Sequence, residues 1–133
     1  LKPYLIDVLD ASGSARANLE RVFDQWEATA LAPEFHGCLV GNAVSDLRAK
    51  DAAMADFLRR KMTLMEEALF RALRRAKRDG EVSATLDARG AARSLLVLSQ
   101  GLAIVARVHP EPAYVRSVIA QARRLLGDPS APS

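Results

Sequence analysis

The chain has 133 residues, half of them hydrophobic, 5% aromatic, and a formal charge of +3 at pH 7. That length suits one domain with a real core, and so mild a charge does not by itself point to nucleic acid or an anionic membrane. A single cysteine, Cys38, excludes an intrachain disulfide and suits a reducing, cytoplasmic setting.

Alanine and leucine dominate, while β-branched and aromatic residues are few, which favours helices over strands. The opening LKPYLIDVLD carries no secretory signal. Residues 3–10 read as a short helix with Leu5, Ile6, Val8 and Leu9 apolar, and ASGS (11–14) reads as a turn. Ser14 is the expected N-cap of a helix to about Thr29, with Leu19, Val22, Phe23 and Trp26 at i, i+3, i+4, i+7 spacing. Pro33 and Gly37 break the following loop, and CLVGNAVSDL (38–47) reads as a short helix.

Asp51 is the expected N-cap of the longest element, which runs to about Asp79 and would be about 40 Å long. Its stripe is Met54, Leu58, Met62, Met65, Leu69, Ala72 and Ala76, flanked by Phe57, Leu64, Ala68 and Leu73. Gly80 suits its end and Asp87 the next N-cap. A helix over about 88–108 follows, then the break HPEP, with Pro112 in the first turn of a last helix over 112–126. GDPSAPS reads as a disordered tail. The expected fold is all-α: one antiparallel bundle of five to six helices over residues 1–127, with a tail over 128–133.

Between Arg93 and Arg107 no residue is charged, and the apolar residues do not keep to one side. The run is shorter than the roughly 20 residues a membrane span needs. A helix apolar all round is buried all round. Either one chain covers both faces, or a second copy covers one of them across a two-fold axis. The homodimer is the expectation, through Leu98, Gly101, Leu102, Val105, Val115, Val118, Ile119, Ala122 and Leu125. Gly101 would allow close backbone approach.

The order of segments, GCLVGNAVSDL, then ALRRAKRDGEVSATLDARGAAR, then LLVLSQGLAIVAR and a proline break, resembles the C-terminal regulatory domain of the TetR/AcrR family of bacterial transcriptional regulators. The resemblance covers nearly the whole chain, and RRAKRDGEVSATLD is its most specific part. It implies a homodimer through the last two helices and a small-molecule pocket among the preceding ones. Binding there would control N-terminal helix-turn-helix units, which these residues do not contain. Operator DNA would be met only through those units.

An apolar or amphipathic effector would enter between the helices over 14–29, 38–47 and 51–79. Phe23, Trp26, Phe57, Met62 and Met65 would line the site, with Asn42 and Gln100 as polar groups. Each of these has a plainer reading. The aromatic and methionine side chains fit a core, and Asn42 and Gln100 could equally bond to each other, to backbone or to a dimer mate. Cys38 and His36, in FHGC, read as a buried thiol and its neighbour before a redox sensor or a nucleophile. Arg71, Arg74, Arg75, Lys77 and Arg78, like Arg59, Arg60 and Lys61, read as a solvated basic face. Glu66 and Glu67 are adjacent and would point apart. No catalytic residue, cofactor or metal is assigned, and no enzyme is read. The alternative function is a stand-alone helical dimerisation module without a ligand.

Overall fold

Three side chains start three of the helices. Ser14 accepts the Ala17 N–H at 3.0 Å, Asp51 the Met54 N–H at 2.9 Å, and Asp87 the Gly90 N–H at 3.0 Å. Each satisfies a donor that a helix start leaves orphaned. In the computed structural model, residues 2–32 and 51–129 are described. They form α1 (Lys2–Asp10), α2 (Ala15–Leu31), α3 (Ala52–Arg78), α4 (Ala88–Val105) and α5 (Pro112–Leu126). The helix expected over 38–47, with Cys38 and Asn42, His36 before it, and the end of the tail lie outside the described residues.

The described residues are all-helical. Gly80 (φ 70°) turns the chain out of α3, while the Glu81 N–H reaches back to Ala76 O at 2.8 Å. Gly127 (φ 71°) closes α5, where a Cβ would stand 2.7 Å from that of Ser83. The sequence extends the fourth helix to 108, but α4 ends at Val105. Residues 106–108 tighten into turns, with Arg107 N–H on Ile104 O and Val108 N–H on Val105 O, ahead of Pro110.

The interior is built from Leu9, Leu19, Val22, Phe23, Leu69, Leu73, Leu95, Val115, Ile119 and Leu126, all essentially without accessible surface. Each such side chain contributes about 1.5–3 kcal/mol. The helix expected to be apolar all round is covered on one side only. Ala91, Ala92, Leu95, Leu96, Leu102 and Ala103 are buried, but Val97 is 69% and Ile104 44% exposed, and Val108 beyond them 73%.

One end of the bundle is closed by polar side chains. Helix α1 leaves carbonyls unpaired at its C-terminus. Leu9 O accepts from Arg75 Nη1 (3.2 Å) and Asn18 Nδ2 (3.4 Å), and Ala11 O from Arg75 Nη2 (3.0 Å) and Asn18 Nδ2 (2.8 Å). Asn18 is fully buried. Arg71 grips Asp10 with two bonds, at 3.2 and 2.9 Å. Arg16 Nη1 donates to Glu81 O and Gly127 O, each at 2.8 Å, which ties the start of α2 to the α3–α4 loop and the end of α5.

The fully buried Asn18 and the half-exposed Arg71 should therefore differ. Asn18→Ala is expected to cost about 1–3 kcal/mol in urea unfolding, and Arg71→Ala no more than about 1 kcal/mol. Equal losses would contradict this division of roles.

Candidate functional site

Helices α3 and α4 run antiparallel, and their register is fixed by charge. Arg89 Nη1 donates to Glu66 Oε2 (2.8 Å) and Glu67 Oε1 (2.7 Å), and Arg93 Nε lies 3.5 Å from Glu66 Oε2. With the same rise per residue in both helices, Gln100 lies level with roughly residues 56–59 of α3. Arg89, Leu96, Gln100 and Ala103 follow at spacings of seven, four and three, so they share the α4 face toward α3.

On that face Gln100 is partly buried, and its Oε1 is enclosed without a hydrogen-bond partner. It is the one such side-chain atom found among the described residues. Leu58 lies at that level on α3, while Phe57, about five turns before Arg75, lies on the side of α3 that faces α1. Phe57 is 44% exposed, with Lys61 Nζ 5.3 Å from its ring centre, and Leu58 is buried. One turn further along, Met62 packs half-buried against the core, and Met65 is buried in it.

The expected ligand residues are thus only partly gathered. Met62 lies about one to two turns along α3 from the level of Gln100 and Met65 further along in the core, whereas Phe57 lies on the side of α3 that faces α1. Phe23 has no accessible surface and sits 5.6 Å, centre to centre, from the half-buried Trp26 on α2. It packs the interior. Two open clefts lie elsewhere. One, of about 470 Å³, is lined by Phe70, Arg74, Lys77, Arg78, Asp87, Ala88 and Arg89. The other, of about 550 Å³, lies at the start of α2, beside Arg16, Glu20 and Glu81. Neither touches an expected ligand residue.

The residues expected at a two-fold contact divide in the same way. Val115, Ile119 and Ala122 have no accessible surface within one chain, and Leu102 is buried. All four fill the bundle's own interior, where a second copy cannot touch them. Leu98, Val105, Val118 and Leu125 are partly buried, and a Cβ on Gly101 would meet nothing within 4 Å. The open surface is a ridge that the expectation missed in part: Val97, Gly101, Ile104 and Val108, at spacings of four, three and four. Tyr114, 42% exposed, begins a second row with Val118 and Leu125 on α5. The spacing was present in the sequence, but a wholly apolar segment hides which third of its surface faces outward.

The basic run at the end of α3 is more than a solvated face. Arg71 and Arg75 hold α1, Lys77 Nζ donates to Leu86 O at 2.7 Å, and Arg78 pairs with Asp79 at 2.9 Å. Glu66 and Glu67 do not part company either, because both reach the Arg89 fork, whose guanidinium lies 3.8 Å from the Phe70 ring centre. Adjacent residues on a helix diverge by about 100°, and a guanidinium with several donors spans that gap.

The arrangement is that of a helical regulatory domain. Residues 13–122 match the tetracyclin repressor-like C-terminal domain. The chain belongs to that family of regulator domains. No curated protein and no solved structure matches it. No helix of the described residues is long and apolar enough to cross a membrane.

The seam's charge pair has a pH signature. The hydrogen bond from Arg89 holds the Glu67 carboxyl below its ordinary value of 4.5. A lowered folded-state pKa gives stability that is present above the unfolded value and lost as pH falls through the folded one. The stability gap between the wild type and Arg89→Ala should therefore be wider in neutral urea titrations than in titrations at about pH 3. A gap that ignores pH would show that the pair does not act on stability.

Proposed function

We propose that the chain is the ligand-sensing, homodimerising part of a TetR-like transcriptional regulator, and that it performs no catalysis. The observation that carries the ligand reading is the enclosed, unpartnered Gln100 Oε1 on the face of α4 toward α3. An unmet buried acceptor costs about 1–3 kcal/mol, and native proteins keep few of them. A small apolar or amphipathic molecule with one hydrogen-bond donor would remove that cost while its body rests against Met62, with Phe57 and Met65 as further candidate contacts. Asn42 remains a second candidate polar contact, and Trp26 a candidate wall.

The dimer would form on Val97, Gly101 and Ile104 of α4 and Val108 just beyond it, with Leu98, Val105, Tyr114, Val118 and Leu125 around them. An exposed apolar row with a glycine at its centre suits a close helix crossing, and a two-fold axis would bring the same row from a second copy. A ligand that spreads α3 from α4 would act on α1, because Arg71 and Arg75 tie α3 to Asp10, Leu9 O and Ala11 O. In this reading α1 leads to a helix-turn-helix unit outside these residues, and operator DNA is controlled only through that unit, in the cytoplasm.

Gly101→Leu separates fold from assembly, since one chain has room for the side chain. Its monomer should melt as the wild type does, while sedimentation shows dimer dissociation at least ten-fold easier. An unchanged dimer would move the interface elsewhere, and a wild type that is monomeric at micromolar concentration would remove it. For the ligand, a thermal-shift panel of amphipathic compounds should include stabilisers that lose their effect on Gln100→Leu. A stable dimer that no compound stabilises would favour the ligand-free dimerisation module.

A further inference from the structure

Phe70 lines the cleft of about 470 Å³ between the end of α3 and the start of α4, and two guanidiniums lie against its ring. That of Arg89 is 3.8 Å and that of Arg74 5.5 Å from the ring centre. Lys77 and Arg78 add positive charge to the lining, against one carboxylate, Asp87, which already accepts the Gly90 N–H. The neighbouring cations are matched: Arg71 with Asp10, Arg78 with Asp79, and Arg89 with Glu66 and Glu67. Arg74 and Lys77 are exposed, and among the described residues neither pairs with a carboxylate. Lys77 Nζ holds the Leu86 carbonyl, which uses one of its three donors. Lys77 also stands in the last turn of α3, where a cation suits the helix end, but Arg74 stands before that turn. The cleft is roughly 35 Å along α3 from Asp51, where the described chain resumes.

We propose that this cleft docks an acidic peptide segment of a partner protein, with an apolar side chain set between carboxylates. The carboxylates pair with Arg74 and Lys77, and the apolar side chain rests on Phe70 and Ala88. A single exposed ion pair holds little, so one free carboxylate would not stay. Two pairs joined through one short chain, with an apolar contact between them, reinforce each other. The pattern of charge also separates a peptide from a nucleic acid. Asp79, Asp87, Glu66 and Glu67 stand among the cations and repel a continuous run of phosphates. A short segment places its charges only where Arg74 and Lys77 stand. Gln100 lies roughly 17 Å further along α4 from Arg89, so the docking needs neither a ligand there nor the dimer.

Fluorescence polarisation with a labelled pentapeptide, a leucine between two pairs of glutamates, tests it at low salt. The peptide should bind saturably, and added salt should weaken it. Arg74→Glu should bind it at least ten-fold more weakly and, being an exposed substitution, melt near the wild type. Arg116→Glu makes the same change of net charge at an exposed position outside the cleft and should stay within two-fold of the wild type. Replacing the peptide's leucine by glycine should cost at least three-fold, and replacing its glutamates by glutamine should abolish binding. In ¹⁵N spectra the amides of Phe70, Arg74 and Ala88 should shift while those of Val97 and Gln100 stay in place. No saturable binding at millimolar peptide would overturn the proposal. So would equal losses in Arg74→Glu and Arg116→Glu, which would leave only net charge as the cause. A single-stranded oligonucleotide that occupies the cleft more tightly than the peptide would assign it to nucleic acid, and the peptide reading would fall.

Discussion

The carbonyls that α1 leaves unpaired at its C-terminus set the terms for the rest of the bundle. Buried backbone acceptors must find donors, and here they find them on two other helices. Arg75 brings α3 and Asn18 brings α2 to Leu9 O and Ala11 O. Once those are placed, Arg16 can reach the α3–α4 loop and the end of α5. Four helices and the loop that leads into α4 are thereby indexed at one end, and the leucines of the core pack behind it.

The same constraint explains where function can reside. In the proposed reading a guest enters the α3–α4 seam away from that polar end, so binding leaves the indexed carbonyls paired. Gln100 lies on the α3-facing side of α4, with an acceptor that nothing among the described residues satisfies. The outer face of α4 has a different character. Val97, Ile104 and Val108 project around an unobstructed Gly101, so the face proposed for a second copy points away from the bundle. Arg71 and Arg75 connect α3 to α1.

Much of this was legible in the sequence because it depends on local chemistry. Ser14, Asp51 and Asp87 announced their helices, Gly80 ended one, and the i, i+3, i+4 stripe of α2 named its buried residues. Gln100 stood out as an amide among apolar neighbours. What stayed hidden depends on distance in the chain. Arg75 lies 64 residues from Ala11, and on a helical wheel it reads as one more exposed cation. Arg89 joins Glu66 and Glu67 only when two antiparallel helices come into register. In a segment as uniformly apolar as 94–106, pattern alone cannot separate the inner face, with Leu95 and Leu102, from the outer one, with Val97 and Ile104. Phe23 looked suited to a ligand wall for the same reason and is interior.

The most direct test is to follow the Gln100 side-chain amide by NMR while titrating ¹⁵N-labelled protein with a compound that raises its melting temperature. The account predicts that the Gln100 amide and the backbone amides of residues 55–65 shift together, saturating at one concentration, while the side-chain amide of Asn18 stays in place. A compound that binds and moves Asn18 or the α1–α2 turn, leaving Gln100 untouched, would contradict the placing of the ligand at Gln100.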